Sequence, residues 1–405
     1  MAYSLRARFV LPVGQPAIEG GWVTIEGDRI VAVGREAPPG EHHDLGDMAL
    51  LPGLINAHTH LDLSNVETPL GQPGIGLVDW LGKIVEYKFA NPSSWTAVER
   101  GLRESARLGT TTVVDMAQQT PVTDSVEAIG IGLVSLLELI APSIDRVGVQ
   151  VDRATDHLAA DEGQRLWCAG LSPHAPYSVH PDLLSRAVGL SSEHHATLAM
   201  HLAESREELE LIEQQSGPLR TLLEGLGIWG STCFAQGMTT LSYLETLATA
   251  HRALVVHGNY LGDREIAFLA DRAERMSVVY CPRSHAFFGH DPYPLEKMLA
   301  AGVTVALGTD SRASSPDLSV LAEMRNVFRL HPDVPPETIV RLATADSAKA
   351  LGTSHRLGTI EPGRQADLTA VSLSDVEQAD QADPYRWLLA GTGEVVGTWC
   401  RGRRV

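Results

Sequence analysis

The chain has 405 residues, 44% hydrophobic and 20% charged, the balance of a globular protein with ample material for a core. At ~150 residues per domain, this length suits two or three units, or one large barrel with additions. Fifty acidic against 32 basic residues leave a net charge of −18, which repels phosphate backbones and argues against nucleic acid or an anionic membrane as the main partner.

The first fifty residues read as short strands. Trp22 to Ile25 and Ile30 to Val33 are apolar alternating runs broken by Gly27-Asp28, a strong hairpin signal. The chain's end repeats the style, with Pro362-Gly363 between a short run and Asp367 to Val371, and a last run at Val395 to Cys400. Neither end alone has enough strands to bury a sheet face, so the two are expected to pair into one small β unit.

Between them lies an alternation of apolar strands and helical segments. The strand candidates are 54–57, 111–114, 132–135, 166–171, 197–200, 253–256, 277–280 and 303–307. Most are short and nearly continuously apolar, as parallel strands buried on both faces are. Helices are expected at 95–108, 181–188, 204–214, 241–250, 263–274 and 294–301. Eight strands with helical crossovers predict an α/β fold, a (β/α)8 barrel over 53–352, with 1–52 and 353–405 contributing to a β-sandwich. A doubly wound open sheet is the competitor, but the Gly-rich phosphate loop it often carries is absent after the first strand.

Polar residues at the ends of these apolar runs point to chemistry. Strand one ends in Asn56-Ala57-His58-Thr59-His60, and in extended chain i and i+2 share a face, so both imidazoles point the same way. Strand five ends with His201 and, three residues on, Glu204; strand six ends with His257 and strand eight with Asp310. Taken singly, each histidine reads as an ordinary strand cap. Together, on the barrel face where such enzymes keep their sites, they read as a metal centre. His58, His60, His201 and Asp310 supply four ligands, and a water would be the fifth. Nitrogen-rich sites with one carboxylate suit zinc or iron, with Zn2+ the first expectation and Fe2+ the alternative.

The segments LPGLINAHTHLDLS, MHLAES, VVHGNYL and LGTDS resemble the amidohydrolase superfamily of metal-dependent hydrolases, and LGTIEPGRQADLTAV resembles part of its composite β-sandwich. The HxxE of His201 and Glu204 is similar to the mononuclear deaminase branch, which includes cytosine, guanine and adenosine-type deaminases and related chlorohydrolases. Two-metal members need a carboxylated lysine on a middle strand; the lysines here, Lys83, Lys88, Lys297 and Lys349, lie on none of strands three to five, which favours one metal. The resemblance implies that Asp310 binds metal and takes a proton from the water, and that His257 orients and polarises the resulting hydroxide. It further implies that Glu204 protonates a ring nitrogen of the substrate and then carries a proton to the leaving amine.

Substrate contacts are read from three further segments. SPHAPY, residues 172–177, resembles the SPHxPY segment of nucleoside-type deaminases and makes His174 a binding candidate; its prolines could equally define a rigid loop. Asp79-Trp80-Leu81, expected in the long loop after strand one, is similar to the EWL of adenosine-derivative deaminases, with the shorter Asp79 in place of glutamate. Trp80 reads as a substrate wall or as a buried anchor. In CPRSHAFFG, expected as a loop, Arg283 either reaches an anionic substrate tail or forms a structural ion pair.

These features predict a metal-dependent deaminase of an aminated heteroaromatic ring, an adenine nucleoside derivative of the aminodeoxyfutalosine or S-adenosylhomocysteine type. Cyclic-amide hydrolysis or aryl dechlorination is the alternative. Four scattered cysteines, Cys168, Cys233, Cys281 and Cys400, form no CxxC pair and suggest neither a disulfide framework nor a thiolate site. With no apolar run near the ~18 residues that span a bilayer, and no apolar stretch after Arg6 and Arg8, a cytoplasmic protein is expected. A small-molecule substrate and a homodimer complete the expectation.

Overall fold

The computed structural model describes residues 2–161, 163, 166–229, 237–377 and 380–405, so Cys233 lies outside the described residues. Its centre is an eight-stranded, all-parallel sheet taken in chain order: β1 Leu54–Thr59, β2 Thr110–Ala117, β3 Gly132–Leu139, β4 Trp167–Pro173, β5 Thr197–Leu202, β6 Arg252–His257, β7 Met276–Tyr280 and β8 Thr304–Leu307. Every strand expected from the sequence is present, because these runs are apolar on both faces and need cover on both sides. One face fills the barrel with Ile55, Val114, Leu136, Leu254, Val256, Val279 and Ala306; the other packs on the helices.

The ring closes where β8 meets β1. Thr309 and Asp310 donate their N–H groups to the His58 carbonyl at 3.0 and 3.1 Å. The Asn56 carboxamide clamps the same seam, donating to Thr309 Oγ1 at 2.8 Å and accepting the Thr309 N–H at 3.1 Å. Gly308 permits this approach: a Cβ there would lie 2.8 Å from His58 Cβ and 3.0 Å from its backbone N and O.

Two sheets from the chain ends form the sandwich. One is purely N-terminal and contains the expected hairpin, Trp22–Glu26 against Arg29–Gly34. The other is six-stranded and mixes both ends, with Met48–Pro52 antiparallel to Leu368–Ser372, itself antiparallel to Val395–Cys400. Leu5, Val23, Ile25, Ile30, Leu50, Leu368, Ala370 and Trp399 fill the space between the sheets. The short run before Pro362 forms no strand, but its Ile360 is buried in that core.

The helices depart from expectation near the barrel mouth. The supposed loop after β1 contains a 14-residue helix, α1 Leu77–Ala90. Leu77, Trp80, Leu81 and Ile84 recur at i, i+3, i+4 and i+7, a helical stripe that covers the cavity. Likewise CPRSHAFFG is mostly helix, Pro282–Phe288, with its proline in the first turn where no N–H is missed. No helix among the described residues is long and apolar enough to cross a membrane.

Candidate active site

Strand alternation alone would not assemble the site; three local breaks in it do. On β1, Asn56 lies opposite Val113 and Thr59 opposite Asp115, so three steps of β1 match two of β2. This bulge gives Ala57 and His58 the same side, and His58 and His60 then follow Ile55 and Ala57 into the interior. On β5, residues three apart would face opposite ways, but Ala203 is left-handed (φ 54°) and turns Glu204 in beside His201. On β6, His257 is one step off the interior set of Leu254 and Val256, and its own φ of 67° re-aims it. Asp310 also has a positive φ, 55°. Non-glycine residues pay for such backbone, and its concentration at strand ends marks a built site.

The polar groups converge. His58 Nε2 and His60 Nε2 lie 3.6 and 3.8 Å from Asp310 Oδ1, and His60 Nε2 is 3.3 Å from His201 Nε2. Ring nitrogens of His58, His201 and His257 fall within 4.8 Å of one another, as do those of His58 and His60 with Asp310 oxygen. Both nitrogens of His58 are buried without a hydrogen-bond partner, which is costly unless an ion occupies the gap. His201 Nδ1 is tied to the His174 carbonyl at 2.8 Å, which leaves Nε2 facing the cluster. Asp310 Oδ2 accepts the hydroxyls of Ser284 (2.7 Å) and Ser314 (2.9 Å), so Oδ1 points inward.

Burial and neighbouring imidazoles keep His60, His201 and His257 in the neutral form a metal requires. His60 is pushed down to about 4, first by burial and then by His58. His257 falls to about 3, again mainly by burial, and His201 lies well below the usual range for the same reason. The donor set therefore fits one divalent cation, with His257 among the groups at ligand range.

Glu204 faces the other way electrostatically. Burial, and then the charges of Asp310, Glu208 and Glu207, raise its carboxyl well above the usual value, which favours its protonated form. Its Oε1 lies 3.5 Å from His257 Nε2. Asn259 donates to its carbonyl at 2.8 Å, and the helix expected from residue 204 starts only at Arg206, after Ser205 caps it.

A cavity of about 230 Å³ opens over the cluster. His60, His201, Glu204, His257 and Asp310 form its polar floor; Leu63, Leu77, Trp80, Leu81 and Ile84 form an apolar wall. His174 lines it, with Nδ1 held by Ser178 Oγ at 2.6 Å. Trp80 lines the cavity, and its indole N–H donates to the Ala313 carbonyl at 3.2 Å.

Two expected substrate contacts are not brought here. Asp79 is exposed in the first turn of α1, where the helix dipole favours an acid, and it is absent from the cavity lining. Arg283 is consumed by Glu323 at 2.5 Å and Asp317 at 2.7 Å, the structural ion-pair reading. The sequence reading missed Glu138, which ends β3 inside the cavity, and Glu208, whose carboxylate accepts the Ala203 and Glu204 N–H groups at 2.9 and 2.8 Å. For Glu138 the signal was present: it follows Val134 and Leu136 on one face of an apolar strand.

A barrel with a His–Asp cluster and an open cavity at the carboxyl ends of its strands is the architecture of a metal-dependent hydrolase. A family model for the amidohydrolase family matches residues 49–405, and the chain belongs to that family. It is 30% identical over 387 residues to a 5-methylthioadenosine/S-adenosylhomocysteine deaminase of Moorella thermoacetica, covering 90% of this chain and 84% of the relative. The namesake from Syntrophomonas wolfei is 31% identical over 389 residues, with the same coverage. Among solved structures, a zinc-bound adenosine deaminase from Xanthomonas campestris superposes with a TM-score of 0.77 at 25% identity, over 99% of this chain and 92% of that one. Helicobacter pylori aminofutalosine deaminase superposes over the whole of both chains with a TM-score of 0.84 at 24% identity, which bears on the fold. A divalent metal at the His–Asp cluster is supported by the donor set and by the zinc bound in the Xanthomonas campestris adenosine deaminase.

Proposed function

We propose that the protein is a hydrolytic deaminase of an adenine nucleoside derivative, of the 5-methylthioadenosine/S-adenosylhomocysteine or aminofutalosine type, using one Zn2+ with Fe2+ as the alternative. The observation that carries this reading is a buried Glu204, its carboxyl raised by that burial, 3.5 Å from His257 at the edge of the His–Asp cluster. His58, His60, His201 and Asp310 would hold the ion, and when bound it supplies a water acidic enough to attack at neutral pH. Glu204 would donate its proton to a ring nitrogen, which makes the neighbouring carbon electrophilic, while His257 orients the attacking water and Asp310 accepts its first proton. The proton of the newly added hydroxyl then passes through the Glu204 carboxylate to the departing amine, which leaves as ammonia, and the proton held by Asp310 restores Glu204 to its acid form. The apolar wall of Leu77, Trp80 and Ile84 excludes bulk water and offers the flat base a stacking surface.

The test is ammonia release by zinc-loaded enzyme from 5-methylthioadenosine, S-adenosylhomocysteine, adenosine and aminodeoxyfutalosine. Release from at least one is expected. Silence on all four, or chloride release from atrazine without ammonia from any nucleoside, overturns the reading. A homodimer is part of the proposal, supported by exposed Val85 and Phe89 one turn apart on α1. A sedimentation mass of one 43.6 kDa chain would exclude it.

A further inference from the structure

Glu138 has no task in the chemistry above, yet it is one of the three carboxylates lining the cavity, with Glu204 and Asp310. Its side chain is only 3% exposed. Oε2 is fixed by Gln118 Nε2 at 2.7 Å. Oε1 is buried with no hydrogen-bond partner; the nearest nitrogens, His60 Nδ1 at 3.9 Å and His174 Nε2 at 4.0 Å, are beyond bonding range. The cation lining the cavity, Lys88, gives its ammonium to Asp62 at 2.9 Å. A buried acceptor left empty is costly, and a ligand that brings a donor to it recovers that cost.

We propose that Glu138 Oε1 is the acceptor for a sugar hydroxyl of the substrate, and so the residue that selects ribonucleosides over deoxynucleosides. This rests on the nucleoside reading above. Asp79 is exposed on α1 and absent from the cavity lining, whereas Glu138 lines the cavity with an unpartnered oxygen. Glu138 lies one residue from the end of β3, opposite Ser172 of β4, and shares the cavity wall with His174 just beyond that strand. A site built to bond a hydroxyl rejects an analogue that lacks it far more strongly than an apolar pocket does.

The experiment compares wild type with Glu138→Gln on 5-methylthioadenosine and its 2′-deoxy and 3′-deoxy counterparts, using zinc-loaded enzyme. Ammonia release, binding by calorimetry and zinc content are all read. Gln118 keeps its acceptor in the variant, so the new amide presents N–H groups to the cavity where an acceptor stood. Wild type is expected to prefer the ribonucleoside over one deoxy analogue by roughly 100-fold in kcat/KM, mostly through KM. The variant should lose that preference, falling steeply on the ribonucleoside and about threefold or less on that analogue. Equal loss on all three, no wild-type preference, or a fall in zinc content (the sign of an orienting role behind His60) overturns the proposal. If wild type binds the ribonucleoside through Glu138 but releases no ammonia, the deaminase reading fails and this one stands. Absence of both binding and ammonia sinks both.

Discussion

Glu208 holds the backbone of Glu204: its Oε2 accepts the Glu204 N–H at 2.8 Å while Oε1 accepts that of left-handed Ala203 at 2.9 Å. The carboxyl proposed as acid and base is thus aimed from four residues further along the chain. Glu208→Ala should lower kcat about 10- to 100-fold with little change in KM, since it misplaces a group that acts in the transition state. It should also cost stability by about 1–3 kcal/mol by orphaning two buried N–H groups. Glu208→Gln, which keeps an acceptor, should restore part of both.

Glu204→Gln removes the proton while preserving shape. A loss of about 10²–10⁴ in kcat with unchanged zinc content is expected from steady-state kinetics and metal analysis. Because burial raises this carboxyl, the working form is the protonated one. Wild-type activity should therefore fall on the alkaline side as Glu204 ionises, and the variant should lack that limb.

Metal retention has its own pH signature. His60 and His257 protonate in the metal-free protein at about 4 and about 3, so protons compete poorly for them at neutral pH. Competition by protons at these two rings should therefore set in only as pH approaches 4. A metal-buffered titration in which His60→Ala or His257→Ala removes a loss of zinc affinity centred near 6.5 would contradict this. Chelation should abolish activity and lower the melting temperature, because the ion binds only the folded form.

Gly308→Ala drives a methyl into His58 at the barrel seam. Overpacking of this kind costs about 1–3 kcal/mol. Here it should also weaken zinc binding, measurable by competition with a chromogenic chelator.

Arg283→Ala should leave KM unaltered, as its guanidinium is committed to Glu323 and Asp317 and not to the cavity. The stability loss should be large, about 3–5 kcal/mol, because Glu323 is fully buried and would be stranded. Thermal unfolding beside steady-state kinetics separates the two effects.

The barrel strands were readable because parallel strands buried on both faces leave continuous apolar runs, and the strand-end histidines stand out against them. Helix α1 was hidden behind Gly71, Pro73, Gly74 and Gly76, which punctuate its start like a loop. What periodicity alone does not give is the aim of the side chains. The bulge at Ala57 and His58 and the left-handed residues at Ala203 and His257 contradict simple alternation, and they arise from long-range packing at the barrel rim. Glu208 was masked by its surroundings: in the acidic stretch after Glu204 nothing local separates its buried carboxylate from half-buried Glu207 and Glu210.

The seam of the sandwich, where Met48–Pro52 lies against Leu368–Ser372, bears on how the protein is made. The earlier strand leaves the ribosome some three hundred residues before its neighbour, and it runs straight into β1 with its metal-binding histidines. During synthesis that segment must wait with an open edge, so the nascent chain needs protection there until Leu368–Ser372 has been made. Any message cut short before the final strands should yield a product that clumps, even though every catalytic side chain has already been synthesised.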